Sequence, residues 1–159
     1  VSTAVSVSVR RATREDVGFV SASHRIAHEA IQDSRGGALD TLLHGRPDPL
    51  EEAWDAHVAD AGYALLIGEV DGTSVGYSAI ERQDLPNGTA IALITDLWVH
   101  SQARGVGVGA ALMHEIEQVA SQWGATGLDS RALPGDRVTK NFFESFGLVA
   151  RAIHVHRSL

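Results

Sequence analysis

The residues best placed to do chemistry in this chain are consecutive. They run Arg104-Gly105-Val106-Gly107-Val108-Gly109-Ala110, with three alternating glycines. Glycine lets the backbone turn its N–H groups toward a ligand and lets that ligand come close. The apolar run Ala90 to Val99 enters this segment as a strand. Val108, Leu112, Ile116, Val119 and Trp123 leave it at helical spacing, and Gly124 stops the helix. A helix start offers unpaired N–H donors and a partial positive charge. Strand, glycine loop and helix start together make an anion site suited to a pyrophosphate. The glycine spacing is not that of the dinucleotide fingerprint, and the Lys-Ser/Thr pair of the triphosphatase phosphate loop is missing.

The elements that must position this loop can be read along the chain. Val5-Ser6-Val7-Ser8-Val9 alternates with period two and predicts a half-buried strand. Thr13 reads as an N-cap, and Val17, Val20, Ala27 and Ile31 form the apolar stripe of the helix that follows. Gln32 to Pro47, with Gly36, Gly37, Gly45 and Pro47, reads as a loop or broken helix. Pro49 suits the first position of a second helix running through Trp54 and Val58 to Gly62. Strands over 63–70 and 74–84 meet at Asp71-Gly72, a strong hairpin signal. After the 90–99 strand and the glycine-led helix come a short strand near 127–131, a helix near 136–146 and a closing strand from Val149 to His156. The predicted order is β-α-α-β-β-β-α-β-α-β, an α/β fold with a mixed central sheet and helices on both faces.

Composition bounds the function. With 159 residues, 44% hydrophobic, and neither a repeat nor a Pro-rich linker, the chain is expected to form one domain over residues 1–159. There is no Cys, which removes disulfides, thiolate metal sites and cysteine nucleophiles. The net charge of −7 argues against nucleic acid as a partner and suits a cytoplasmic protein. No apolar run is long enough for a membrane span, and Val1 to Val9 has no basic region, so no signal peptide is expected there. His24 and His28 stand four apart, a spacing that can bind metal, but no third ligand is evident in the sequence and no metal is expected.

Read from Arg104 the loop is R-x-x-G-x-G, preceded by Asp96-Leu97-Trp98-Val99. The segment resembles the acetyl-CoA signature of the GNAT acyltransferase superfamily. Val9-Arg10-Arg11-Ala12-Thr13-Arg14-Glu15-Asp16 is similar to that family's first strand and helix start. Asn141-Phe142-Phe143-Glu144-Ser145-Phe146-Gly147-Leu148 is similar to the end of its last helix. The resemblance therefore extends over nearly the whole chain.

The resemblance implies an acetyl-CoA-dependent N-acetyltransferase acting on a primary amine, with a small-molecule amine as the leading acceptor and an acyl-CoA-binding module without turnover as the alternative. It implies that the N–H groups of Arg104, Gly105, Val106, Gly107, Val108, Gly109 and Ala110 hold the pyrophosphate. The main chain of Leu97 and Val99 would pair with the pantetheine arm, and Asn141 would contact its end. A homodimer, paired through the closing strand, is the expected assembly.

Two departures bear on proton transfer. The family's Glu positions on the 90–99 strand hold Leu93 and Thr95, neither of which can act as a base. Asp96 is then the leading candidate for base or ammonium anchor, although period two turns it to the face opposite Thr95. Glu81 is its rival, and His100 is a further possibility. The position of the family's thiolate-protonating Tyr holds Phe143, which leaves Ser130 as a candidate donor.

Overall fold

The computed structural model describes residues 4–159. Five strands form one sheet in the order β1-β2-β3-β4-β5: β1 (Val7–Arg11), β2 (Tyr63–Val70), β3 (Thr73–Asp84), β4 (Ala90–Val99) and β5 (Leu128–Asp129). The first four are antiparallel neighbours and β5 runs parallel to β4. The helices are α1 (Val17–Ile31), α2 (Gly37–His44), α3 (Leu50–Ala59), α4 (Val108–Gln122) and α5 (Arg137–Ser145). None of these is long and apolar enough to cross a membrane.

Period two splits the strands between two cores. Leu66, Ile80 and Ile94 face α4, where they pack with Leu112, Met113, Ile116 and Phe143 of α5. Leu65, Ile67, Tyr77 and Ala79 face α1 and α3, against Val20 and Trp54. The mixed sheet with helices on both faces is thus as expected. The hairpin at Asp71-Gly72 also forms, with φ of 48 and 77°, the left-handed pair that matches strand twist in a two-residue turn.

Three expectations are corrected or narrowed. Of loop or broken helix, the stretch after α1 is the latter, since it contains α2, which lies against α1. Thr13 starts a single 3-10 turn, Arg14–Asp16, and the α-helix begins at Val17. Asp16 accepts the Thr13 N–H at 2.8 Å and a pair of hydrogen bonds from Arg10. The third correction is the closing strand, since residues 149–159 form none and Val149, Ile153 and Val155 stand exposed. Alternation records a preference for a half-buried face, but a strand also needs a partner. Here β5 is only two residues long and pairs with β4. Gly147 turns the chain at a φ of 84°, and Arg151 bonds Asp129 through its side chain instead of through a ladder.

Candidate active site

The donor side is built from main chain. Gly105 and Gly107 have φ of 83 and 99°, values that only glycine adopts without strain, and a Cβ at either would meet open space. Gly107 caps α4, and Ala111 N–H bonds back to the Gly107 carbonyl at 3.0 Å. The N–H groups of Gly105 to Ala110 have no acceptor among the described residues. Gly109 serves differently: a Cβ there would press on the Phe142 ring of α5 at 3.2 Å. Gly68 of β2 likewise makes room for Val108, which seats the helix start on the sheet.

Next to this loop the sheet opens. β5 pairs with β4 only at Ala92↔Leu128 and Leu93↔Asp129. Beyond that point the outer side of β4 has no strand beside it. His100 N–H bonds back to Val75 of β3 at 2.7 Å, so alternation turns the main chain of Leu97 and Val99 to the open side. The Val99 carbonyl takes Arg104 Nε at 3.1 Å, which ties the loop to the strand end. Ser130 lies in the same opening and donates to the Ile94 carbonyl at 3.2 Å.

Asp96 stands on the other face because β4 is irregular. Ala79 pairs with Asp96 and Ile80 with Ile94, so Thr95 is the extra residue of a β-bulge. The bulge cancels the period-two argument. Thr95 and Asp96 reach the same neighbours, with Thr95 Oγ1 donating to Asp96 Oδ2 at 2.8 Å. Asp96 also accepts from Tyr77 Oη at 3.0 Å and Arg46 Nη2 at 2.9 Å, and His24 Nδ1 lies 3.0 Å from its Oδ1. Arg46 Nη2 touches Thr95 Oγ1 as well, at 3.0 Å, and its guanidinium lies 3.9 Å over the Trp54 ring.

Burial by itself would raise the Asp96 pKa. The His24 hydrogen bond and the Arg46 charge outweigh burial and hold the carboxyl well below the usual carboxylate range. The same burial and the same carboxylate push the Tyr77 phenol up. A carboxylate this well satisfied is a poor proton acceptor and a strong fixed anion.

Around the cluster opens a cleft of about 520 Å³, lined among others by His24, His28, Thr41, Arg46, Asp48 and Leu50. His28 stacks on His24 with ring centres 4.1 Å apart, and its Nδ1 is 3.3 Å from Thr41 Oγ1. Burial, then the neighbouring His24, lower the His28 pKa. Ligand atoms of His24, His28 and Asp96 lie within 4.8 Å of one another, so the fold supplies the third group that the sequence did not reveal. The carboxylate is nevertheless committed to His24, Tyr77, Thr95 and the Arg46 cation. A second cation on it would face that guanidinium, so the donor set reads as a hydrogen-bonded network and not as a metal cage.

The remaining candidates lie apart from this cluster. Glu81 is directly opposite Leu93 in the β3–β4 register, two residues along from Ala79, and accepts from Gln83 at 3.3 Å. Asn141 is exposed on α5, and Phe143 of that helix is buried in the α4-side core. His100 Nδ1 accepts the Gln102 N–H at 3.2 Å and caps a 3-10 turn. Sequence reasoning missed Arg46 and the meeting of His24 and Tyr77 with Asp96. The one available signal was His24 falling on an apolar stripe, where a polar group needs a partner.

The site thus combines a glycine loop on a helix start with a sheet opened at its parallel strand. The family model described as acetyltransferase (GNAT) family matches residues 28–148. The chain belongs to that family, whose general chemistry is acetyl transfer from acetyl-CoA. No curated relative matches the chain. Among solved structures it is similar to the tetramutant of the BH1408 protein from Bacillus halodurans, at 22% identity and TM-score 0.79, covering 95% of this chain and 99% of that one. An aminoglycoside acetyltransferase from an uncultured soil metagenomic sample is similar at 17% identity and TM-score 0.73, over 97% and 99%. Ribosomal-protein-alanine N-acetyltransferase from Brucella melitensis is similar at 18% identity and TM-score 0.69, over 98% and 99%. At these identities the likeness establishes the fold.

Proposed function

We propose that this protein transfers the acetyl group of acetyl-CoA to the primary amine of a small molecule, by direct attack within a ternary complex. The observation that carries this reading is the opening of β4 beside the loop. Outward main-chain groups of Leu97 and Val99 lead directly into the unpaired N–H groups of Gly105 to Ala110. The loop, from Arg104 to Ala110, holds the pyrophosphate of the co-substrate. Leu97 and Val99 pair with its pantetheine arm, and Asn141 on α5 contacts that arm's end. The amine nitrogen attacks the thioester carbon, the Leu97 N–H steadies the developing oxyanion, and the C–S bond breaks to release the CoA thiolate. Ser130, in the same opening, is the hydroxyl that returns a proton to that sulfur. On the acceptor side Asp96 serves as a fixed anion, and Glu81 adds a second negative charge to that face farther from the cleft. The exposed Val149, Ile153 and Val155 are the surface for a homodimer, and a clean monomer in light scattering at micromolar concentration would remove that assembly.

Binding of acyl-CoA without turnover is the second reading, favoured by the buried Phe143 where a hydroxyl donor would be needed. A thiol-release assay separates the two. Acetyl-CoA is offered with polyamines, amino acids, aminoglycosides and a peptide with a free N-terminal alanine, because the similar structures include acetyltransferases named for the last two acceptors. Turnover with a small amine, lost in Gly107→Trp, supports the enzyme. Turnover with the peptide alone overturns the small-molecule acceptor. Acetyl-CoA binding with no turnover across the panel favours the module.

A further inference from the structure

We infer that His24, oriented by Asp96, is the base that takes the proton from the acceptor ammonium, an inference that rests on the transferase reading above. Only the free amine attacks a thioester, so the ammonium proton must leave before or during attack. The carboxylates of this face are ill suited to take it. Asp96 is saturated by four partners and held ionised, and Glu81 stands apart from the cleft-lining residues.

His24 has the required geometry. Tyr77 Oη and Thr95 Oγ1 each donate to Asp96, so the carboxylate is already oriented when it meets the ring. With Asp96 ionised, His24 Nδ1 must carry the proton and donate it across the 3.0 Å contact. That leaves a lone pair on Nε2. Nε2 has no partner among the described residues, yet it is not sealed from solvent as the unpartnered Nε2 of His57 is. His24 lines the cleft, and Nε2 is the ring nitrogen it has left to offer a ligand there.

The charged groups that face His24 are Asp96 from β4 and, on the far side of the same carboxylate, Arg46 from the segment between α2 and α3. His28 one turn along α1 and His57 of α3 are both pushed toward the neutral form, chiefly by burial, so neither competes as a resident cation. Tyr77 stays a neutral donor. In the step itself one proton moves from the acceptor nitrogen to Nε2, and the positive charge passes to the His24–Asp96 pair. The proton then leaves through the cleft. Asp96 positions the ring and does not itself touch the substrate.

The first test needs no acceptor. Long-range ¹H–¹⁵N spectra of the labelled full chain, assigned with His24→Ala, should place the His24 proton on Nδ1 and leave Nε2 bare near pH 8. A proton on Nε2 would overturn the assignment. Asp96→Asn should loosen this tautomer preference. With a panel amine that turns over, log kcat/KM of the wild type should fall with unit slope on the acid side. His24→Ala should lose about a hundredfold in kcat or more, lose that inflection, bind acetyl-CoA as before by calorimetry, and recover rate with added imidazole. Unchanged kcat with the inflection intact would overturn the proposal, and so would activation by zinc with loss in EDTA. Loss of acetyl-CoA binding by the wild type would instead strike the transferase reading beneath it.

Discussion

The donor loop and the Asp96 cluster flank one strand, yet they are made in opposite ways. The loop is a run of neighbours, exposed, and its working groups are backbone N–H donors freed by two left-handed glycines. The cluster gathers residues 24, 46, 77, 95 and 96 from α1, a connecting segment, β3 and β4, and its working groups are buried side chains. The contrast teaches where each region is vulnerable. The loop tolerates side-chain change wherever backbone conformation survives. The cluster fails when any one partner leaves, because a buried charge is then uncompensated.

The sharpest way to break the comparison is Asp96→Ala. It strands the Arg46 guanidinium against Trp54 and should cost about 3–5 kcal/mol of stability, read by urea unfolding. If the loss is within experimental error of zero, the cluster is no more interdependent than the loop. Gly107→Trp should act chiefly on the ligand, with acetyl-CoA affinity falling about a hundredfold. Its stability loss should stay near the roughly 1–3 kcal/mol of a side chain forced to φ of 99°, because a Cβ there strikes no neighbour. Calorimetry and thermal unfolding on the same samples check both halves.

Acid sharpens the contrast further. His57 lies between Trp54 and Tyr63, and burial, followed by the Arg46 charge, lowers its pKa from 6.5 to about 4. A depressed folded pKa means that the neutral form is favoured by folding. Stability is therefore fully present above 6.5 and declines as pH falls toward 4, by on the order of 2 kcal/mol at pH 4.5. His57→Phe should flatten that part of the stability–pH curve without altering acetyl-CoA affinity. An unchanged slope would remove His57 as its source. The smallest effect is expected of Tyr77→Phe, which deletes one of several donors to Asp96 and should cost about 1 kcal/mol. A loss several times larger would mean that Tyr77, and not Arg46 or His24, holds the carboxylate in place.

Much of the fold was legible from local patterning. The Asp71-Gly72 turn, the strand over 90–99 and the helix after the glycines all follow from periods and punctuation within ten or so residues. The closing strand was misread because alternation at Val149, Ile153 and Val155 describes side chains only, while strand formation depends on a partner's free edge. The sequence leaves α2 open between loop and broken helix because Gly37 and Gly45 bracket it and look like loop residues. In the structure the lack of a Cβ lets Gly37 lie against the Ile31 carbonyl and Gly45 against that of Thr41.

What the sequence determined alone is the glycine loop: consecutive residues whose conformational freedom and helix-start dipole are local properties. Only the tertiary structure decided the Asp96 cluster. One extra residue at Thr95 bulges β4 and turns Asp96 to the face of α1, where His24, Tyr77 and Arg46 arrive from positions 19 to 72 residues away. No periodicity encodes that meeting. It exists because a buried carboxylate must be satisfied, and packing decides which donors are within reach.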